Sequence, residues 1–206
     1  MSQKVVIVDY GMGNLNSVKR TLHKMRYASI ISSDAKEITS ADRIILPGVG
    51  HFSRAMQNLK ELGLIDALNE AVLTKKTPIL GICLGMQLMA NHSEEGNVDG
   101  LGWLNAKVVR FNVSDKIQFK VPHMGWNSIQ KTNNTALLKD VPDKNEFYFV
   151  HSFHWQTDNQ EHVASYTDYI YRFVSAVEKE NIFGVQFHPE KSHEFGEVVL
   201  RGFLGD

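Results

Sequence analysis

A single cysteine, Cys83, stands among 206 residues, so no disulfide can form within the chain. A core of this length holds together without one. Lone cysteine usage also points to a reducing, cytoplasmic setting. Neither sign of charge dominates: 22 Lys plus Arg face 23 Asp plus Glu, a net charge of −1. That balance gives no electrostatic case for nucleic acid or an anionic membrane as partner. No apolar run approaches the roughly 20 residues a membrane-spanning helix needs. The start, Met1-Ser2-Gln3-Lys4, leads straight into Val5-Val6-Ile7-Val8, too short for the apolar region of a signal peptide. Asn91-His92-Ser93, Asn112-Val113-Ser114 and Asn133-Asn134-Thr135 match the glycosylation pattern, which means little without a secretory route. Repeats, low-complexity tracts and linkers are also missing, so residues 1–206 read as a single domain.

What is present is an alternation of strand and helix. Strands are expected at Lys4–Val8, Tyr27–Ile31, Arg43–Leu46 and Pro78–Ile82, with helices at Leu15–Met25, Ser53–Lys60 and Leu64–Thr74 between them. This predicts an open α/β fold with a largely parallel sheet flanked by helices. From Trp103 the texture changes to short runs separated by polar turns: Trp103–Phe111, Phe147–Val150, His162–Tyr166, Ile170–Val177 and Ile182–Phe187. These are read as added antiparallel or mixed strands, closed by an amphipathic helix over Gly196–Phe203. Ligands in open α/β sheets bind beyond the carboxyl ends of the strands. Gly11-Met12-Gly13, Pro47-Gly48-Val49-Gly50 and Cys83 all follow strands, so they should meet on one rim.

Gly81-Ile82-Cys83-Leu84-Gly85 places the cysteine where a buried strand turns into a helix. This is the logic of a nucleophile elbow, written for Cys. The helix start aims N–H groups at the sulfur, favouring thiolate and supporting an oxyanion. The alternative is a buried, inert thiol. A cysteine nucleophile needs a base, and the base an orienting partner. His188-Pro189-Glu190 supplies both after the last strand; two apart in an extended chain, His188 and Glu190 leave the same side. The alternative there is a solvent-facing turn, one of several chance pairings that nine histidines allow. In Pro47-Gly48-Val49-Gly50, two glycines around one residue give a loop whose peptide plane turns readily, so a Val49 or Gly50 N–H can join Leu84 N–H on an oxyanion. A plain strand-to-helix turn is the alternative.

Together the Gly-x-Cys-x-Gly elbow and the distant His-Pro-Glu make the chain resemble the class I (triad) glutamine amidotransferases, whose sheet is flavodoxin-like. Asp9–Leu15, Pro47–Gly50, Gly81–Gln87, Pro122-His123-Met124-Gly125-Trp126-Asn127, Tyr148–Ser152 and Gly184–Ser192 are similar to the glutaminase subunits of imidazole glycerol phosphate synthases. The likeness runs from the first strand to the last helix. It implies Cys83 as nucleophile, His188 as base and then acid, and Glu190 as orienting carboxylate. It places Gln87, Glu95, His151 and Ser152 around bound glutamine, with Gly50 in the oxyanion loop. Gln87, four residues after Cys83, sits one helical turn on, which suits that role. A helix-surface glutamine and a loop charge are the alternatives for Gln87 and Glu95.

The resemblance further implies a heterodimer with a (β/α)₈-barrel cyclase subunit that receives the ammonia and forms imidazole glycerol phosphate. Trp126, Tyr148 and Lys191 match interface and tunnel-mouth positions, and Asn14 a further contact; core packing is the alternative for the two rings. The Gly-Val-Gly sequence also motivates a gate, with the oxyanion N–H turned away until the cyclase binds its ligand.

Other classes fare worse. Gly11-Met12-Gly13 with Asp34 looks like a partial dinucleotide fingerprint, but Asn16 stands where the third glycine belongs, so no cofactor is expected. His151-x-x-His154 and His188 with His193 lack the HExxH or paired-Cys context of a metal site, so no metal is expected. A non-catalytic interaction module would have no need of Cys83, His188 and Glu190 together. Two stretches depart from typical family members: Ser165–Ile170 lacks an expected turn glycine, and Phe153-His154-Trp155-Gln156 is unusual. Both lie outside the glutaminase centre. They keep open a paralogous glutaminase subunit that supplies ammonia for amidino-sugar and surface-polysaccharide biosynthesis.

Overall fold

The computed structural model describes residues 3–114, 119–132 and 135–205. Met1-Ser2 and the Asn133-Asn134 pair of the third glycosylation pattern lie outside the described residues.

Five parallel strands form the spine: β1 (Val5–Val8), β2 (Ser29–Ser32), β3 (Arg43–Gly48), β4 (Ile79–Cys83) and β14 (Ile182–Val185), in the spatial order β2-β1-β3-β4-β14. Their side chains alternate between two cores, because successive Cβ atoms leave opposite faces of a sheet. Val6, Val8, Ile44 and Leu46 enter one; Val5, Ile7, Ile45, Leu80 and Ile82 enter the other. Both faces being covered explains why these strands read as unbroken apolar runs.

Helices α2 (Ala35–Thr39), α3 (Phe52–Glu61) and α4 (Leu64–Asn69) cover the first core, and α1 (Leu15–Lys24) and α6 (His193–Leu204) the second. Each buries a stripe at helical spacing, such as Val18 and Leu22 on α1, or Phe52, Ala55 and Leu59 on α3. Truncating fully buried Leu22 to Ala would cost about 3 kcal/mol in lost transfer energy and cavity. The helix expected over Leu64–Thr74 is regular only to Asn69 and continues as a π-helical turn, Glu70–Thr74.

Beyond β14 the sheet turns antiparallel through β13 (Arg172–Lys179), β11 (Phe153–Gln156) and β7 (Lys107–Arg110), ending at the short β5 (His92–Ser93) and β6 (Val98–Asp99). β12 (Val163–Asp168) pairs with β13 and with the short β9 (Gln130–Lys131). The strand expected over Trp103–Phe111 is confined to β7. The amides of Leu101, Gly102, Trp103 and Leu104 are taken by the carbonyls of Leu88, Ala90 and Met89, which wraps that stretch around the end of the elbow helix. A separate antiparallel ribbon, β8 (His123–Ser128) with β10 (Glu146–His151), stands off the main sheet and overhangs the rim. Among the described residues no helix is long and apolar enough to cross a membrane.

Candidate active site

Cys83 ends β4 with φ 55° and ψ −109°, a backbone conformation that non-glycine residues rarely adopt. The strain is imposed from both sides. α5 (Leu84–Gln87) starts at the next residue, and it lies so close to β3 that a Cβ on Gly85 would sit 1.7 Å from the Leu46 carbonyl oxygen. A Cβ on Gly81 would likewise come within 2.7 Å of Gly85. The two glycines therefore let the strand and helix fold back on each other, and Cys83 takes up the turn. Leu84 N–H, the first of α5, has no intrahelical acceptor. α5 ends at Gln87.

Strand register assembles the rest. Gly48 pairs with Cys83, so Val49 and Gly50 emerge beside the sulfur. Gly50 has φ 115°, which only glycine takes up readily. The root of the loop is held by Tyr10, whose buried hydroxyl donates to the Pro47 carbonyl at 2.9 Å. Burial, with the Cys83 charge adding to it, pushes the Tyr10 phenol far up, so it stays a neutral donor.

His188 and Glu190 meet as expected, but by another route. The chain there is not extended: Pro189–Lys191 is a 3₁₀ turn, closed by the Ser192 hydroxyl on the His188 carbonyl at 2.7 Å. The turn brings His188 Nδ1 to 2.8 Å from Glu190 Oε1, with both side chains only 2% exposed. Burial opposes charge on the imidazole, yet the charge and hydrogen bonding of Cys83, then Glu190, push its pKa up to about 10. Nδ1 is committed to Glu190, while the buried Nε2 faces Cys83 and has no other partner.

A cavity of about 290 Å³ opens over the sulfur, lined by Val49, Gly50, Cys83, Leu84, Gln87 and Glu95 on one side and by Pro122 and Val150–Phe153 on the other. All of the predicted glutamine-binding and oxyanion residues border it. Gln87 is buried and donates to the Phe153 carbonyl and to Gln186 Oε1, each at 2.9 Å. Glu95 Oε2 accepts the Phe52 N–H at 2.8 Å, tying the cavity wall to the start of α3 just past the Gly50 loop. Both ring nitrogens of His151 are occupied: Nδ1 donates to the Phe153 carbonyl at 2.8 Å, leaving Nε2 to accept from His123 Nδ1 at 3.0 Å. His151 can therefore shape the cavity and carry its backbone there, but its ring has no free polar atom for a ligand. Burial holds both imidazoles neutral, His123 at about 4 and His151 well below its ordinary value.

The proposed partner face lies on the ribbon and the turn. Trp126 is 45% exposed and Met124 62%. The Trp126 and Tyr148 rings meet edge to face at 6.2 Å, and Lys191 Nζ sits 5.4 Å over the Tyr148 ring. Asn14 is exposed at the start of α1. Asp34, considered above as a ribose ligand, caps α2 by accepting the Lys36 N–H at 2.7 Å. Of the histidines considered as metal ligands, His154 bonds Tyr171 and His193 stacks on Trp126. Among the described residues, no three His, Cys, Asp or Glu side chains gather as a metal site.

Two polar residues that sequence reasoning passed over sit in this centre, Tyr10 and Gln186. The signal for Gln186 was its place at the end of the otherwise apolar Ile182-Phe183-Gly184-Val185 strand.

The family model for glutamine amidotransferase class-I matches residues 6–204. The chain is 49% identical over 200 residues to imidazole glycerol phosphate synthase subunit HisH 2 of Methanococcus maripaludis, covering 97% of this chain and 98% of that one. It is 44% identical over 201 residues to subunit HisH 1 of Campylobacter jejuni, with the same coverage. Against subunit HisH of Neisseria meningitidis it is 42% identical over 211 residues, covering 98% and 99%. In fold it is similar to PurLQS from Thermotoga maritima (TM-score 0.72, 18% identity, 100% and 99% covered). A solved glutamine amidotransferase is similar too (TM-score 0.73, 16% identity, 97% of each chain covered). With the elbow, the His–Glu pair and the cavity on one rim, the chain belongs to the class-I glutamine amidotransferases, in the family of the imidazole glycerol phosphate synthase subunits HisH.

Proposed function

We propose that this chain is the glutaminase subunit of an imidazole glycerol phosphate synthase, hydrolysing glutamine to glutamate and ammonia for a cyclase partner in histidine biosynthesis. The observation that carries the reading is Cys83, held at φ 55° on the floor of the cavity, with the buried His188–Glu190 pair beside it. His188 Nε2 takes the thiol proton and the sulfur attacks the side-chain amide carbon of glutamine. The oxyanion is received by the N–H of Leu84 and one from Val49 or Gly50. Collapse expels ammonia with the proton from His188 and leaves a γ-glutamyl thioester. His188 then deprotonates a water, whose attack releases glutamate and restores the thiol. Glu190 holds the ring in the tautomer that faces the sulfur and stabilises the imidazolium.

Gln87, Glu95, His151 and Ser152 frame the substrate, His151 through its placement and not its ring nitrogens. No metal or organic cofactor is needed for this chemistry. The partner is a (β/α)₈-barrel cyclase subunit in a heterodimer, docked on Trp126, Tyr148, Lys191 and Asn14. Exposed aromatics with a cation over one ring support that placement. The gate proposed for Pro47–Gly50 belongs to the same assembly.

Two measurements test the proposal. Cys83→Ala should abolish glutamine hydrolysis in the assembled complex; retained activity overturns the nucleophile. The chain should also restore growth of a histidine auxotroph lacking its glutaminase subunit. Failure there, with glutaminase activity intact alongside a cognate cyclase-like partner, assigns the ammonia to another acceptor such as an amidino sugar.

A further inference from the structure

β14 runs parallel to β4 with Val185 opposite Ile82, so Gln186 falls alongside Cys83. Its side chain is fully buried, and its backbone N–H is fixed to the Ser175 carbonyl at 2.9 Å. Gln186 Nε2 lies 3.6 Å from Cys83 Sγ. The direction of that contact follows from the surrounding bonds. The Phe153 carbonyl can only accept, so the Gln87 atom 2.9 Å from it is the amide nitrogen. That nitrogen also lies 2.9 Å from the Gln186 amide, so the Gln186 atom facing it is oxygen. Gln186 is left with its NH₂ turned to the sulfur, and no other orientation satisfies both neighbours.

We infer that Gln186 is a further catalytic residue, an amide donor that holds the Cys83 thiolate before attack and receives it again when the thioester is cleaved. The inference rests on Cys83 being the nucleophile. A donor fixed by a second buried amide costs no reorganisation when charge appears on sulfur. It raises the population of thiolate by more than it lowers its nucleophilicity, because nucleophilicity follows basicity with a slope of only about 0.5. In the acyl-enzyme the sulfur is a poor acceptor, so the contact strengthens again as the thiolate departs. Gln87, at the edge of the substrate cavity, fixes the rotamer of Gln186 and thereby couples the two sites.

Cys83 is the only cysteine, so alkylation of this chain by iodoacetamide, followed by intact mass, reads this one sulfur. Gln186→Met keeps length and volume without the donor. It should slow alkylation at pH 7 about tenfold and lower kcat for glutamine about tenfold in the assembled complex, with KM within about twofold. Gln186→Glu, which turns a carboxylate on the sulfur, should slow alkylation further. Alkylation and kcat within twofold of wild type in Gln186→Met overturn the inference. In wild type, the side-chain amide resonances of Gln186 should move with the same pH midpoint as Cys83 alkylation and stay fixed in Cys83→Ser. Resonances that do not move overturn it even if both Gln186 variants fail to fold. Cys83→Ser with undiminished glutaminase activity instead sinks the nucleophile reading, a result separable from an indifferent Gln186.

Discussion

His188 donates its backbone N–H to the carbonyl of Tyr148 at 2.9 Å, so the strand carrying the Tyr148 ring also fixes the backbone of the base in the proposed reaction. The same strand, β10, places the Val150 carbonyl 3.8 Å from Cys83 Sγ and ends at His151 in the cavity wall. A partner docked as proposed on Tyr148 and Trp126 would thus be one strand away from both Cys83 and His188. β10 is paired along its whole length with β8.

Trp126→Ala should weaken binding of the cyclase subunit about thirtyfold or more, as expected of an aromatic at the centre of an interface. Trp126 is half exposed in the free chain, so its melting temperature should barely change. Titration calorimetry with the purified cyclase checks the first, and a thermal melt the second.

Tyr10→Phe removes the hydroxyl that donates to the Pro47 carbonyl while keeping the ring. Stability should fall by about 1 kcal/mol. If the Pro47–Gly50 loop is the gate, loosening its root should raise glutamine hydrolysis by the chain alone and reduce the stimulation given by the cyclase with its ligand. Ammonia release measured with and without both components tests this. Full activity of the wild-type chain alone, unchanged by the cyclase, sinks the gate.

Burial gives His123 and His151 folded pKa values below the roughly 6.5 of an unfolded histidine. Below pH 6.5 the unfolded chain binds protons that these buried rings refuse, so stability is whole above that pH and lost as pH falls toward 4. His123 accounts for about 2 kcal/mol of the loss by pH 4.5. Urea midpoints at pH 7 and pH 4.5 should differ accordingly, and His123→Phe should narrow the difference. The neutral chain from Asn127 through His123 to His151 is the group being titrated.

Cys83→Gly should be more stable than Cys83→Ala by about 1 kcal/mol, since the strained backbone at φ 55° suits glycine, and both should be inactive. Chemical denaturation of the two variants makes the comparison. Equal stabilities would mean that the elbow is relaxed.

Much of this molecule is legible in its local pattern. The parallel spine reads from four-residue apolar runs because both faces are buried, and the elbow reads because Gly85 is required by backbone contact with Leu46 and Gly81 by contact with Gly85 and Met86. Other features resisted. Trp103 and Leu104 look strand-like but spend their amides on the Met89 carbonyl, a partner no local pattern reveals. The ribbon strand His123–Ser128 sets its apolar residues, Met124 and Trp126, on the exposed face, so it has no buried apolar signature, and its partner Glu146–His151 lies a distant segment away. His188 and Glu190 bond each other, although the turn and not an extended chain joins them.

By itself the sequence pointed to Cys83, His188, Glu190 and the Gly48–Gly50 loop as one candidate centre, because each requirement is local: a turn, a neighbour two residues on, a flexible peptide plane. Only the tertiary structure decided which atoms are free to act. That His151 has no ring nitrogen to offer, and that Gln186 turns a donor on the sulfur, depend on the single Phe153 carbonyl from a distant strand. Hydrogen-bond direction passes through space from one acceptor to the next, and chain order carries no record of it.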